Sequence, residues 1–260
     1  MPIDYRTVGG QFYYGKDQVA ANEQNNTFTR IRSNCTSAYN RNVNQADTVN
    51  RKLDFFYRDF LYLRDADIFV MYDKVKNKSR ASGPAYEKHL RWHFPANAPA
   101  VNGNSITAVH GNAKLYIHTL LPAANLNINV VNEINNPDNT IGSWINYYYN
   151  SETWRAEVKD ATNPLQYDFL SVLQPGNLST AEMVSANTAS NDGLLTGCQI
   201  TLPSGAVEVV FFNNQAVPLP APVTNTNYNF SGNINAWHTI CGVVPNAAYQ
   251  VSYSGGVVSV

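Results

Sequence analysis

An all-β chain, folded as a large antiparallel two-sheet sandwich with few short helices, is the prediction of three features of this sequence. Apolar and polar residues alternate with a period of two in nearly every patterned segment. Those segments are rich in Val, Ile, Tyr, Phe and Thr, the side chains that fit a pleated surface. Gly, Pro and Asn separate them at intervals of about 8 to 15 residues, the rhythm of a stacked antiparallel sandwich.

The stretch 62–121 shows the pattern most fully and predicts four strands in a row. Residues 68–75 run Ile-Phe-Val-Met-Tyr-Asp-Lys-Val and stop at the Lys/Asn/Ser/Gly/Pro segment 76–84, a strand followed by turn formers. In 86–94, Leu90, Trp92 and Phe94 alternate with His89, Arg91 and His93, so the apolar set turns inward and the basic set outward. Strand 106–109 then reaches a His110-Gly111-Asn112 turn, and 114–121 follows with Lys114, Tyr116 and His118 on one face. If these strands are neighbours, they present one shared His/Arg/Tyr wall.

Further strands are expected at 12–14, 27–32, 53–63, 126–131, 145–149, 154–158, 167–173, 194–202, 207–212, 238–243 and 249–260. Residues 42–51 suggest a short helix or a loop, and 178–187 a second short helix. Segments 132–139, 187–193 and 213–229 read as long surface loops, the last holding Pro218, Pro220 and Pro222. No internal repeat is visible, and 260 residues suit one sandwich domain spanning 1–260.

Composition narrows the functional classes. Charged residues make up 14% of the chain, the formal net charge is −1, and Lys and Arg form no block, so nucleic acid is not an expected partner. No apolar stretch approaches the roughly 18 residues a membrane span needs, and the first ten residues lack the pattern of a signal peptide. Cys35, Cys198 and Cys241 are too few and too widely spaced for a disulfide framework or a metal knuckle. They read as buried thiols, with a Cys198–Cys241 pair open if their strands adjoin. An Asn- and Tyr-rich, Lys-poor composition suits an exported bacterial protein, secreted or periplasmic, that contacts carbohydrate.

Several phrases, in order, resemble the β-sandwich half of the heparinase II/III-like polysaccharide lyases: Asn34-Cys-Thr-Ser-Ala-Tyr-Asn40, Phe56-Tyr-Arg58 with Leu61-Tyr-Leu63, Phe69-Val-Met-Tyr-Asp-Lys-Val75, Leu90-Arg-Trp-His-Phe94, Leu115-Tyr-Ile-His-Thr-Leu-Leu-Pro122, Trp154-Arg-Ala-Glu-Val158 and Tyr167-Asp-Phe-Leu-Ser-Val-Leu-Gln174. Cys241 to Val251 and the Gly-Gly pair after it are similar to the family's closing strands. The resemblance implies a supersandwich-like fold and action on an acidic, uronate-containing polysaccharide. It also implies an α/α toroid upstream, which this chain lacks, so that the chain would be a fragment of a lyase. In that family β-elimination uses a base, a tyrosine and neutralisation of the uronate carboxylate. The toroid supplies the tyrosine and one histidine, and no histidine precedes His89 here.

The residues at hand define the candidate site. His93 or His118 is the candidate base, Tyr72 or Tyr116 the candidate proton donor, and Arg91 or Arg155 the carboxylate clamp, with His89 beside it. Trp144, Tyr147 and Trp154 offer aromatic faces for sugar rings. Arg58 and Arg155 have a structural alternative, pairing with Asp59, Asp73 or Glu157 across strands. His89 and His93, four residues apart on a strand, lie about 13 Å apart and cannot share a metal ion. His93 with His118 and a carboxylate such as Asp73 or Glu157 would need paired strands, and no metal or cofactor is expected. No Gly-X-Ser-X-Gly elbow occurs. Three functions remain open: a lyase-like domain that binds or cleaves an acidic polysaccharide, a carbohydrate-binding module without catalysis, and a small esterase- or glycosidase-type hydrolase with a site on the sandwich face.

Overall fold

A computed structural model describes residues 18–39, 52–79, 86–95, 97–132, 153–231, 236–244 and 247–260. They form β1 (Gln18–Gln24), β2 (Phe28–Asn34), β3 (Leu53–Leu63), β4 (Ile68–Asn77), β5 (Leu90–Pro95), β6 (Ala100–Asn102), β7 (Ser105–His110), β8 (Ala113–Leu121) and β9 (Leu126–Asn132). The order continues with β10 (Thr153–Asp160), β11 (Gln166–Asn177), β12 (Val184–Ala189), β13 (Leu195–Thr201), β14 (Val207–Asn213), β15 (Asn227–Asn229), β16 (Trp237–Ile240), β17 (Ser252–Ser254) and β18 (Val257–Ser259). One 3-10 turn at Thr36–Tyr39 is the single helical element among the described residues.

These strands build four sheets rather than two. Sheet I has the order β5-β10-β9, sheet II β1-β2-β3-β4-β11-β8-β7-β6, sheet III β12-β13-β14-β16 and sheet IV β15-β18-β17. Pairing is antiparallel except between β14 and β16. Three apolar cores lie between successive sheets. Leu90, Phe94, Ala156 and Val158 of sheet I meet Met71, Val75, Ile106, Ile117 and Phe169 of sheet II. The other face of sheet II, with Leu61, Val70, Leu170 and Val172, packs on Cys198, Ile200, Val210 and Phe212 of sheet III. Leu195, Val209 and Phe211 turn away from that core and pack on Tyr228, Phe230 and Val258 of sheet IV. The stack therefore runs I, II, III, IV.

The all-β sandwich is as the alternation predicts, and β4 shows why its centre is a longer apolar run. Sheet II is covered on both sides, so both faces of β4 are buried and the in/out pattern fades. The expected His110-Gly111-Asn112 turn is the β7–β8 hairpin, where Gly111 takes the positive φ of 57° that a two-residue turn requires.

Other expectations are corrected. Residues 178–187 are not helical: 184–189 form β12, since pairing with β13 outweighs the helix propensity of Ala, Glu and Met. The proposed terminal strand 249–260 is split by Gly255 and Gly256 into the β17–β18 hairpin, and β15 emerges from the expected loop 213–229. The short helix or loop expected at 42–51, strands 12–14 and 145–149, and all but the first residue of the loop expected at 132–139 lie outside the described residues. Cys198 and Cys241 do not pair, because β14 stands between β13 and β16; all three cysteines are free and buried.

Candidate functional site

Strand alternation decides which side chains share a surface. On β10, Ala156 and Val158 enter the core, so Arg155, Glu157 and Lys159 point to the outside of sheet I. The register sets Arg155 opposite His93 and Glu157 opposite Arg91 on β5, while Asn129 and Asn127 on β9 face Glu157 and Lys159. Arg91, His93, Arg155 and their neighbour His89 therefore occupy one wall, beside a concavity of about 280 Å³ lined by Asn127, Ile128, Asn129, Glu157 and Lys159.

Glu157 organises this wall. Its Oε1 accepts from Arg155 Nε at 2.8 Å and pairs with Arg91 Nε at 3.0 Å, and its Oε2 lies 3.4 Å from His89 Nδ1. Burial opposes the charge of Glu157, but Arg155, Arg91 and His89 outweigh it and hold the carboxyl below the usual range. A second carboxylate, Glu87, sits 2.8 Å from His89 Nε2 and 3.5 Å from Lys159 Nζ. Among the described residues, three cationic side chains, Arg91, Arg155 and Lys159, thus meet two acids, Glu157 and Glu87. Half of the Arg91 side chain, 51%, remains exposed.

The remaining predicted site residues do not join that wall. His118 and Tyr116 lie on β8, whose partners are β7 and β11 rather than β5, and they face sheet III through the opposite side of sheet II. The expected common His/Arg/Tyr surface is therefore divided, because β5 pairs with β10. Tyr116 donates to Thr180 O at 3.2 Å and accepts from Lys114 Nζ at 3.2 Å. Tyr72 is buried in the II–III core, stacked on Phe212 at 5.6 Å, with its hydroxyl 2.6 Å from Asp168 Oδ2 and 2.9 Å from Asn214 Oδ1. Burial and the adjacent Asp168 push its phenol far above the ordinary value, so it holds its proton. Trp154 turns inward against the I–II core, leaving no aromatic face of its own on the wall. Trp144 and Tyr147 lie outside the described residues. Arg58 takes the structural alternative, a bidentate pair with Asp73 across β3 and β4, both bonds 2.6 Å.

His118 instead belongs to a separate polar chain. Its Nδ1 is 2.7 Å from Ser185 Oγ on β12 and its Nε2 is 2.7 Å from Glu182 Oε1. Ser105 Oγ also donates to that carboxylate oxygen. The Ser105 hydrogen bond leads, with His118 assisting against a desolvation penalty, in holding Glu182 below the usual carboxylate range. Ser185 and Glu182 carry no sequence signal of their own, since the helix expected there would have hidden the strand alternation that points Ser185 at sheet II. Among the described residues no three or more His, Cys, Asp or Glu side chains gather as a metal site, and His93 and His118 stand on different sheets.

No protein-family model matches the chain, and no curated protein matches it. Solved structures do. The heparan sulfate lyase HepC from Pedobacter heparinus and a mutant of it each align with a TM-score of 0.51 and 13% identity, covering 78% of this chain and 28% of theirs. A heparinase III gene product aligns with a TM-score of 0.48 and 7% identity, covering 76% of this chain and 28% of that one. The chain thus spans less than a third of the length of these structures. At 13% identity the likeness to HepC is one of fold, a β-sandwich shared with a heparan sulfate lyase.

Proposed function

We propose that this chain is a polysaccharide-binding β-sandwich domain that takes a uronate-containing polymer on the outer wall of sheet I. The carrying observation is the convergence of half-exposed Arg91 and of Arg155 on one carboxylate, Glu157, which lines a concavity with Asn127 and Asn129. Guanidinium groups already arranged around a carboxylate are arranged for a sugar carboxylate too, and amides suit the hydroxyls. Binding is favoured over β-elimination because His93 stands apart from Tyr72, Tyr116 and His118, so the expected base and acids do not converge. The HepC fold adds the polymer class: heparan sulfate, named for that enzyme, is the first polysaccharide to try.

The test is affinity electrophoresis and calorimetry of the full chain with heparan sulfate. Retardation that weakens with salt, and a loss of about tenfold or more in Arg91→Ala with Arg155→Ala, is the expected result. No retardation by any uronate polymer would overturn the reading. A rise in ultraviolet absorbance from an unsaturated uronate product would show lyase turnover instead.

One observation favours a second reading, an esterase-type hydrolase. Ser185, His118 and Glu182 are linked in the order hydroxyl, imidazole, carboxylate that activates a serine nucleophile, though Ser185 sits on a strand rather than an elbow. Covalent labelling of Ser185 by a fluorophosphonate, lost in His118→Ala, would support it; an unlabelled Ser185 would dismiss it.

A further inference from the structure

Sheets III and IV meet at one end through the Ser190–Tyr228 bridge, where the Asn191 side chain also donates to Asn227. Beyond that junction a cleft of about 590 Å³ separates the edge of sheet III from sheet IV, within the roughly 300–1,000 Å³ span of ligand pockets. Alternation along β12 explains its lining. Ser185 turns to His118, so Val184, Ala186 and Thr188 turn the other way, in register with Thr201, Gln199 and Gly197 of β13. Across the cleft stand Asn229, Ser231 and Tyr253, with the Gly255–Gly256 turn beside them.

The chemistry of this cleft differs from that of the sheet I wall. None of its lining residues is acidic, basic or a histidine. It offers hydroxyls and amides from Thr188, Gln199, Thr201, Asn229 and Ser231, all without a formal charge to satisfy. Tyr253 adds an aromatic ring that is 42% exposed. Neutral hydroxyl-rich ligands with apolar C–H faces match that combination, because the ring stacks on one sugar face while amides and hydroxyls exchange hydrogen bonds with the rest. An anionic polymer has no counter-charge here, and a purely apolar ligand would strand the amides.

From the uncharged lining and the exposed Tyr253 we infer that the cleft between sheets III and IV binds a neutral oligosaccharide, separately from the sheet I wall. The cleft lies between sheets III and IV and the wall lies on sheet I, with sheet II between them, so ligands at the two places do not compete for the same residues. This inference does not depend on acidic-polymer binding at sheet I.

Calorimetric titration of the full chain with cellohexaose, xylohexaose and mannohexaose tests it, with a heparan sulfate hexasaccharide run in parallel. At least one neutral hexasaccharide is expected to bind, with affinity reduced about tenfold or more by Tyr253→Ala and unchanged by Arg91→Ala. Ala186→Trp, which fills the cleft from an exposed position, is expected to abolish the same binding while circular dichroism remains that of the parent chain. Absence of binding by all three neutral hexasaccharides at millimolar concentration would overturn the inference. So would binding indifferent to both Tyr253→Ala and Ala186→Trp. Loss of heparan sulfate binding alone would strike the sheet I reading and leave this one standing.

Discussion

Arg155 and Glu157, two residues apart on the outer face of β10, are joined by a 2.8 Å hydrogen bond from Nε to Oε1. Both side chains are only 12% exposed, so the pair is largely withdrawn from water at the centre of the sheet I wall. An acid so placed holds the cations in position and competes with any incoming carboxylate.

Glu157→Gln should therefore act in opposite directions on stability and on binding. It removes the carboxylate that Arg155 Nε donates to on a largely buried wall, at a cost of about 1–3 kcal/mol, measured by urea denaturation at pH 7. Because the Glu157 carboxyl is held below its unfolded value, its stabilisation is complete above about pH 4.5 and fades as pH falls through the folded-state value. The acid limb of the stability curve should flatten in the variant. Heparan sulfate affinity should rise, since a competing carboxylate has gone.

Asp59 is 1% exposed and accepts from Arg30 Nε at 3.0 Å, from Arg30 Nη2 at 2.7 Å and from Arg32 Nη1. Asp59→Ala strands two buried guanidinium groups and should cost about 3–5 kcal/mol, read from the denaturation midpoint. Arg32 also donates to the carbonyls of Val217 and Pro218, both at 3.0 Å. Arg32→Met should accordingly expose the segment around Pro218 to proteolysis before the rest of the chain unfolds.

Lys88 is buried over the Tyr167 ring, 4.5 Å from its centre, and donates to Pro164 O at 2.6 Å. Burial lowers its ammonium to about 8, below the ordinary 10.5. Between those values the unfolded chain holds a proton that the folded chain has lost, so stability contributed at this site rises with pH across that window. Below pH 8 both states carry the charge and the contribution is level. Comparison with Lys88→Met should reveal the slope: the stability difference between parent and variant should change from pH 8 to 10 and stay constant from pH 6 to 7.

Gly197 packs against β14 so closely that an added Cβ would lie 1.8 Å from Val210 O. Backbone cannot yield by that amount, and Gly197→Ala should shift the β13–β14 pairing. A loss of about 3 kcal/mol or more, or failure to fold, is expected, whereas Gly205→Ala meets no atom within 4 Å and suffers only from its φ of 86°.

The sequence was most informative where a single strand carries both the core and the surface. Leu90 and Phe94 against Arg91 and His93 can be read directly, and the wall they form is where alternation puts it. Arg155 and Glu157 follow from the same rule on β10. Adjacency between strands was not readable in this way. Placing His118 with His93 required β5 beside β8, but β8 inserts next to β11 and β5 joins β10, pairings separated by about 60 residues that no local pattern encodes. Aromatic residues serve cores and binding faces alike, and the phase of Trp154 with Ala156 and Val158 turns it to the core. The III–IV cleft is not legible in the sequence, because 178–187 resembles a helix and the far side of the cleft comes from the short strands β15 and β17 and the residues beside them.

Sheet II carries an apolar core on each face, whereas among the described residues sheets I and IV are each three strands wide and packed on one face. Backbone amides in β4 and β11, paired on both sides at the middle of sheet II, should exchange with deuterium only through global unfolding. Those of β17, at the margin of sheet IV, should exchange through local excursions. Any ligand ordering the outer sheets would then be visible as slowed exchange there, with β4 and β11 already at the limit set by the whole molecule.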